Sequence, residues 1–330
     1  FLCAAPFFSW RSAPRHVRHH SHGRRSTLTH CIPPLTAAGA DASAMHSSDG
    51  MKAPLLSSHD VPPHVRQPFI SLGYRRPLRH PYRLGAAAAA GLFSWHNETL
   101  NVWSHLLGLL WALSRLAGTL AADSVAPVAK AAVGAFDVSA VAVLAASATA
   151  HLFAPVLPPG PAKLLWRVDH VGIVVAICGS YVPGIRYGFR CHPVPGAAYG
   201  AITFAGLVAS MHLTFYPTER DGRDWLRIAA LSFTTGFGLV PLAHFCTFAP
   251  PEDIRALVPG LLAMFGFYAL GVAFFVSFVP ERISPAVGEL VGSHALWHVC
   301  IVAALWSWDV SVSRTLARDW SCEPAPSAAG

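Results

Sequence analysis

From about residue 102 onward the chain alternates between long apolar runs and short polar breaks. The runs cover about 102–121, 131–154, 167–186, 196–216, 225–247, 257–279 and 291–311. Each is close to the ~20 residues that a helix needs to cross a hydrocarbon core. The breaks carry helix-stopping punctuation. Pro155, Pro158, Pro159 and Pro161 end the second run, and Pro193 and Pro195 separate the third from the fourth. Pro217 through Asp224 separates the fourth from the fifth, Pro250 and Pro251 follow the fifth, and Pro280-Glu281-Arg282 ends the sixth. Proline and glycine inside runs (Pro183, Gly236, Pro241) are tolerated in membrane helices, where neighbours satisfy the freed backbone groups. The pattern predicts an all-α fold, a seven-transmembrane helical bundle over residues 102–312, with no internal repeat. Ahead of it lie a juxtamembrane segment, 71–101, and a leader, 1–70, that is rich in His, Ser, Pro and Arg. The leader shows no apolar period and is expected to be disordered. A short tail, 313–330, follows.

Composition agrees with lipid as the main solvent: 53% of residues are hydrophobic and 12% charged, against roughly 25% charged in soluble domains. The net charge of +7 is uneven. Much of the excess sits before residue 84, in Arg11, Arg15, Arg18, Arg24, Arg25, Arg75, Arg76, Arg79 and Arg83. No base-reading module accompanies it, which argues against nucleic acid. An anchor against anionic headgroups or a targeting leader fits better. Met45 and Met51 are candidate starts of a short cytosolic leader. The Arg- and Ser-rich, acid-poor first 50 residues resemble an organelle transit peptide or an over-long reading of the gene. Lys and Arg are nearly balanced between the two sides of the bundle. The arginines just before the first run tip the count and predict a cytosolic N-terminus, in the plasma membrane or another endomembrane. Among the seven cysteines, Cys178, Cys246 and Cys300 lie in apolar runs and read as small core residues. Cys191 and Cys322 both fall on the far side, where they can pair, although nothing in the sequence fixes their separation. No CxxC motif indicates a thiol metal or redox site.

The chemistry lies in four polar residues inside the runs: His151, Asp169, His294 and His298. Ionisable groups in a membrane span are costly and by default point to function. His294 and His298 are four apart, on one helix face one turn from each other. With spans alternating in direction, the end of the second, the start of the third and the start of the seventh all fall on the N-terminal side. All four residues therefore meet at one depth. Three imidazoles suit Zn²⁺ in a catalytic-type site with one coordination position left open. Asp169 is placed to take a proton from water there, and Ser147, one turn before His151, to hold an imidazole or the water. Taken singly, each has a blander reading: packing histidines, an interfacial ion pair of Asp169 with Arg167 and His170, a small packing serine. His96, His105, His170, His192, His212 and His244 read as caps, interface or packing residues. A second metal site at His96, Glu98 and His105 is a weaker alternative to capping and interhelical hydrogen bonding. Asn97 or Thr99 can cap the first span, and Trp95 and Trp103 suit the headgroup region.

The segment Trp95-His96-Asn97-Glu98-Thr99-Leu100-Asn101-Val102-Trp103-Ser104-His105 closely resembles a signature of the progestin and adipoQ receptor family, which includes adiponectin receptors and haemolysin-III-like proteins. Gly73-Tyr74-Arg75, Ser147-xxx-His151-Leu152-Phe153, Asp169-His170-Val171-Gly172, Gly179-Ser180-Tyr181-Val182-Pro183 and Gly292-Ser293-His294-Ala295-Leu296-Trp297-His298 resemble further motifs in order, over residues 73 to about 310. The resemblance implies seven helices with the N-terminus in the cytosol, and zinc held by His151, His294 and His298. It implies an aspartate near the zinc water at Asp169 and a second-span serine at Ser147. Activity on the amide of a long-chain lipid such as ceramide is implied, or else steroid response or sensing of membrane fluidity. The partners it implies are membrane lipids, or an extracellular or steroid ligand. Two departures stand out. Ala154-Pro155-Val156-Leu157 replaces the family's Cys-His-Ser stretch, and His170 stands where a tyrosine is usual, able to compete as a ligand. Both bear on substrate identity rather than on the ligands. Two functional readings compete: a zinc-dependent lipid amide hydrolase, and a signalling receptor or lipid sensor with structural zinc. A metal or proton transporter is disfavoured, since the runs hold too few acidic residues to form a pathway.

Overall fold

The structure, a computed structural model, describes residues 54–78, 80, 83–215 and 224–322. Its helices are α1 (Leu84–Phe93), α2 (Thr99–Ala121), α3 (Pro127–Phe153), α4 (Pro159–Gly188), α5 (Pro193–Phe215), α6 (Asp224–Gly236), α7 (Leu239–Phe248), α8 (Pro251–Ser277), α9 (Pro285–Gly288) and α10 (Ser293–Leu316). Among the described residues there is no strand, only an isolated bridge between Leu56 and Tyr74. Six spans are long and apolar enough to cross a membrane: α3, α4, α5, the α6–α7 pair over Ala229–Phe248, α8 and α10. α2 has the length, with 23 residues, but Asn101, Ser104, His105 and Arg115 dilute its apolarity. α3, α4 and α8 start several residues before their apolar runs. In each a proline stands in the first helical turn, where its missing N–H costs nothing and its φ is already helical.

α3 and α10 form the centre. In each, 56% of the apolar window is buried inside the bundle, against 11% for α5 and 17% for α8, most of whose side chains face outward. Small residues set the close approaches, as in other helix pairs packed without a hydrophobic driving force. At Gly260 on α8, an added Cβ would lie 2.5 Å from the carbonyl oxygen of Ser307 on α10 and would also strike the Ser311 hydroxyl. Gly260→Val therefore wedges the two helices apart. Its expected cost is about 1–3 kcal/mol, read as a lower melting temperature in detergent.

The fifth span is broken. Phe237 and Gly238 turn between α6 and α7, and Pro241 supplies no N–H to the backbone. The Thr234 carbonyl, which helix geometry pairs with the Gly238 N–H, instead accepts from the Tyr181 hydroxyl at 2.6 Å, while Gly238 N–H turns to Thr235. The backbone group freed by the kink is thus satisfied by a neighbouring helix.

Two ends of the chain tie down the bundle. Residues 1–53 lie outside the described residues, but 54–70 do not match the expected disorder. Val61, Ile70 and Tyr74 are buried together, with Leu56 and Val65 packed against them. Average composition hid these few apolar residues among polar ones. At the opposite end Cys191, after α4, and Cys322, after α10, form a disulfide. Beside it the buried Asp253 accepts from Tyr187 Oη (2.6 Å), Arg190 (2.9 Å) and Arg318 (3.0 Å). Among the described residues beyond α10, 317–322, Trp320 is buried and donates to the Thr315 carbonyl.

Candidate metal centre

His151 is in the last turn of α3, and His294 and His298 are in the first turns of α10. The nitrogens they can offer a metal ion all lie within 4.8 Å of one another. Ring centroids are 5.0 Å apart for His151–His294, 4.6 Å for His151–His298 and 4.8 Å for His294–His298. The structure thus brings together three of the expected site residues from sequence positions 143 residues apart.

Each helix end is held by a charged side chain. The α3 terminus leaves carbonyls without intrahelical donors. Arg75 donates to those of His151 and Leu152, at 2.8 Å each. Gly91 makes room for that guanidinium, since a Cβ there would lie 2.5 Å from Arg75 Nη1. Burial draws the Arg75 pKa down to about 10, with the Glu98 charge opposing, so it stays a cation at neutral pH. Gly73 precedes it at φ +94°, a conformation for which glycine is suited, and its carbonyl accepts from the Asn97 N–H at 2.9 Å. At the start of α10, Glu281 accepts from the Ser293 N–H at 2.7 Å and from the Ser293 hydroxyl. A carboxylate there also complements the helix dipole, and it fixes the turn that carries His294.

The hydrogen bonds decide which imidazole nitrogens are free. Glu98 Oε1 accepts from Gln67 Nε2 (2.6 Å), and Oε2 accepts from Asn101 Nδ2 (2.6 Å). With donors on both oxygens it is an ionised acceptor, so His151 Nδ1, 2.8 Å from Oε2, carries the proton. His298 Nδ1 lies 3.1 Å from the Asn101 carbonyl oxygen and carries a proton for the same reason. In the neutral rings both Nε2 atoms are then lone-pair donors, and that of His151 faces His294 Nε2 at 3.3 Å. Two nitrogens in that relation suit a shared cation, and the donor set fits a divalent ion that accepts imidazole. The walls are aromatic. Trp166 stands edge-on to His151 at 4.9 Å, Phe275 lies 5.6 Å from His294, and His105 stacks on His298 at 3.8 Å.

Asp169 and Ser147 are not among the three converging ligands. Asp169 is 9% exposed on α4, three residues after the Trp166 that touches His151. Ser147 is buried on α3, one turn before His151. His170 does not join the trio; its Nδ1 is bound to the Trp166 carbonyl at 2.6 Å. No second cluster forms at His96, Glu98 and His105 among the described residues. His96 Nε2 is 2.8 Å from the Gly91 carbonyl instead. Neither Asn97 nor Thr99 caps α2: Glu98 holds the cap position with no side-chain cap bond, and Thr99 Oγ1 accepts from the His96 N–H. The short loop after α3 is a 3-10 turn, Ala154–Val156, packed inside and bound through the Val156 carbonyl to the Leu78 N–H. Sequence reasoning passed over Glu98, Gln67, Arg75 and Glu281 as partners of the site. The signal for Glu98 was present: Glu98, Asn101 and His105 form a polar stripe at helical spacing.

A polytopic helical membrane protein with a tri-histidine centre at one end of its bundle is the class that fold and site define. The model of the Haemolysin-III related family matches residues 93–308, and the chain belongs to that family, with the progestin and adipoQ and adiponectin receptors among its relatives. Progestin and adipoQ receptor family member 3 of Homo sapiens is 30% identical over 258 residues, 74% of this chain and 80% of that protein. Heptahelical transmembrane protein 1 of Arabidopsis thaliana is 33% identical over 244 residues, 69% and 72% of the two chains. The Adiponectin receptor protein of Drosophila melanogaster is 29% identical over 250 residues, 72% and 53%.

Proposed function

We propose that the protein is a zinc-dependent hydrolase of a long-chain lipid amide, ceramidase-like, that serves lipid signalling from within the membrane. The observation that carries this reading is the convergence of three imidazoles, two with their Nε2 lone pairs fixed as donors, beside a buried carboxylate-bearing helix. His151, His294 and His298 would hold the ion. Bound there, Zn²⁺ would act as a Lewis acid that acidifies water and polarises a carbonyl. Asp169 takes the proton of the attacking water and returns it to the departing amine. Ser147 orients that water by hydrogen bonding from the turn before His151.

The acyl chain has a place to go. An apolar cavity lies deeper in the bundle among α4, α7, α8 and α10, lined by Ile177, Tyr181, Leu257, Met264, Phe265 and Trp308. Trp308 is ten residues beyond His298 on α10, about 15 Å at 1.5 Å per residue. A chain held at the metal end would need more than a dozen carbons to reach it. Met264→Trp is expected to fill that space and shift preference toward shorter acyl chains by roughly tenfold in kcat/KM, since even one methylene more or less in a pocket is worth about 1–3 kcal/mol. A ceramide chain-length series measures this.

A signalling receptor or sensor of membrane lipid state, with a structural ion and a steroid or extracellular ligand, is the competing reading. It is favoured by the way the trio pins the end of α3 to the start of α10, the two most enclosed spans. Zinc analysis of the purified protein, followed by fatty-acid release from ceramides on the same sample, separates the two. Zinc without turnover on any ceramide abandons the hydrolase. We infer further that the N-terminus faces the cytosol. The Cys191–Cys322 disulfide at the opposite end supports this, because disulfides persist in oxidising compartments. A glycosylation acceptor inserted beside Cys322 should be modified, and one in the leader should not.

A further inference from the structure

We propose that Glu98 is a positioning residue for the metal centre. With Gln67 it forms a relay through which the juxtamembrane segment holds His151 in its metal-binding tautomer. The inference rests on the metal reading above.

α2 supplies no ligand, yet its inner end touches two of the three. Glu98 Oε2 accepts from His151 Nδ1 at 2.8 Å, the Asn101 carbonyl accepts from His298 Nδ1 at 3.1 Å, and His105 stacks on the His298 ring. The spacing of three and four residues puts Glu98, Asn101 and His105 on one face. The stripe these residues form helps to keep α2 outside the six spans apolar enough to cross a membrane. A carboxylate as buried as Glu98, 2% exposed, is retained only when its charge is compensated. Three donors reach it: Gln67 from the segment before the bundle, Asn101 from its own helix and His151 from α3. A cation held on the opposite nitrogen of the His151 ring would complete the compensation. The bond from Nδ1–H to the carboxylate in turn makes Nε2 a better electron donor and fixes the ring plane. Gln67 belongs to the small folded unit built on Val61, Ile70 and Tyr74, whose Tyr74 hydroxyl accepts from the Gln67 N–H at 2.9 Å. A change in that unit is therefore passed to the ligand through two hydrogen bonds.

The test uses the full chain in detergent, with zinc affinity measured by competition against a chromophoric chelator. The visible spectrum of the cobalt-loaded protein serves as a second readout. Glu98→Gln keeps the shape and removes the charge. It should weaken zinc by about 10–100-fold and shift the cobalt bands, and Gln67→Ala should weaken zinc by a smaller factor in the same direction. Wild type and both variants binding zinc equally would overturn the relay while leaving the metal centre standing. Wild type binding no zinc would overturn both. Should Glu98→Gln fail to fold, Gln67→Ala decides: weakened zinc supports the relay, and unchanged zinc with unchanged cobalt bands overturns it.

Discussion

Purified wild-type protein is expected to carry one zinc ion per chain, and the His294→Ala/His298→Ala variant none, by elemental analysis of samples prepared side by side. The two side chains occupy successive turns of one helix, so the double substitution removes two of three ligands without touching α3. Zinc bound by folded protein ligands is worth about 10–16 kcal/mol at neutral pH. If the three imidazoles share that about equally, losing two weakens binding by roughly 10⁴-fold or more. The remaining His151 would be one imidazole among those left when two of the chain's 18 histidines are removed. Several of the others sit in the leader and can collect loosely held metal. The comparison between wild type and variant therefore decides, not the total. Thermal unfolding gives a second measure. A chelator should lower the melting temperature of wild type, where the ion would join α3 to α10, and should leave the variant unchanged. A variant that keeps its full zinc content would mean that the ion lies elsewhere.

The helices were legible because lipid imposes a length and an apolarity that sequence cannot disguise. Every predicted run but the fifth, which breaks into α6 and α7, is a single helix, with boundaries displaced where a proline could begin the helix earlier in the interface, as at Pro159 and Pro251. The meeting of His151 with His294 and His298 was legible for a similar reason: alternating span directions leave few ways to bring distant residues to one depth. Local backbone chemistry was harder to read. The break between α6 and α7 depends on Tyr181 reaching the Thr234 carbonyl from another helix, a contact no local pattern encodes. The role of Glu98 was hidden because its nearest sequence neighbours suggested capping, whereas its oxygen faces an imidazole 53 residues away. The Cys191–Cys322 pair was chemically possible from sequence, but only the packing of the α4 and α10 ends sets their separation. Residues 54–70 failed as a compositional argument: a handful of apolar side chains suffices for a small satellite core.

Asp169 separates enzyme from sensor, and its effect is expected to be nearly as large as that of the histidines, but of a different kind. Asp169→Ala should lower ceramide turnover by about 10²–10⁴-fold, the range for removing a positioned proton acceptor, while zinc content stays at wild-type level. That split follows from the geometry. Asp169 lies on α4 outside the converging trio, so its removal should not free the ion. A group that acts only as the proton moves should lower kcat and kcat/KM together and leave KM near its wild-type value. Asp169→Asn keeps the side chain's size but cannot accept the proton as a carboxylate does, so it should resemble Asp169→Ala in turnover while melting closer to wild type. A sensor with a structural ion makes the opposite forecast. There, loss of the histidines lowers thermal stability and surface expression, and Asp169→Ala leaves signalling intact. Turnover unaffected by either Asp169 variant, in protein that still holds its zinc, would remove the proton-transfer role. The metal would then stand as a staple between the second and last predicted spans.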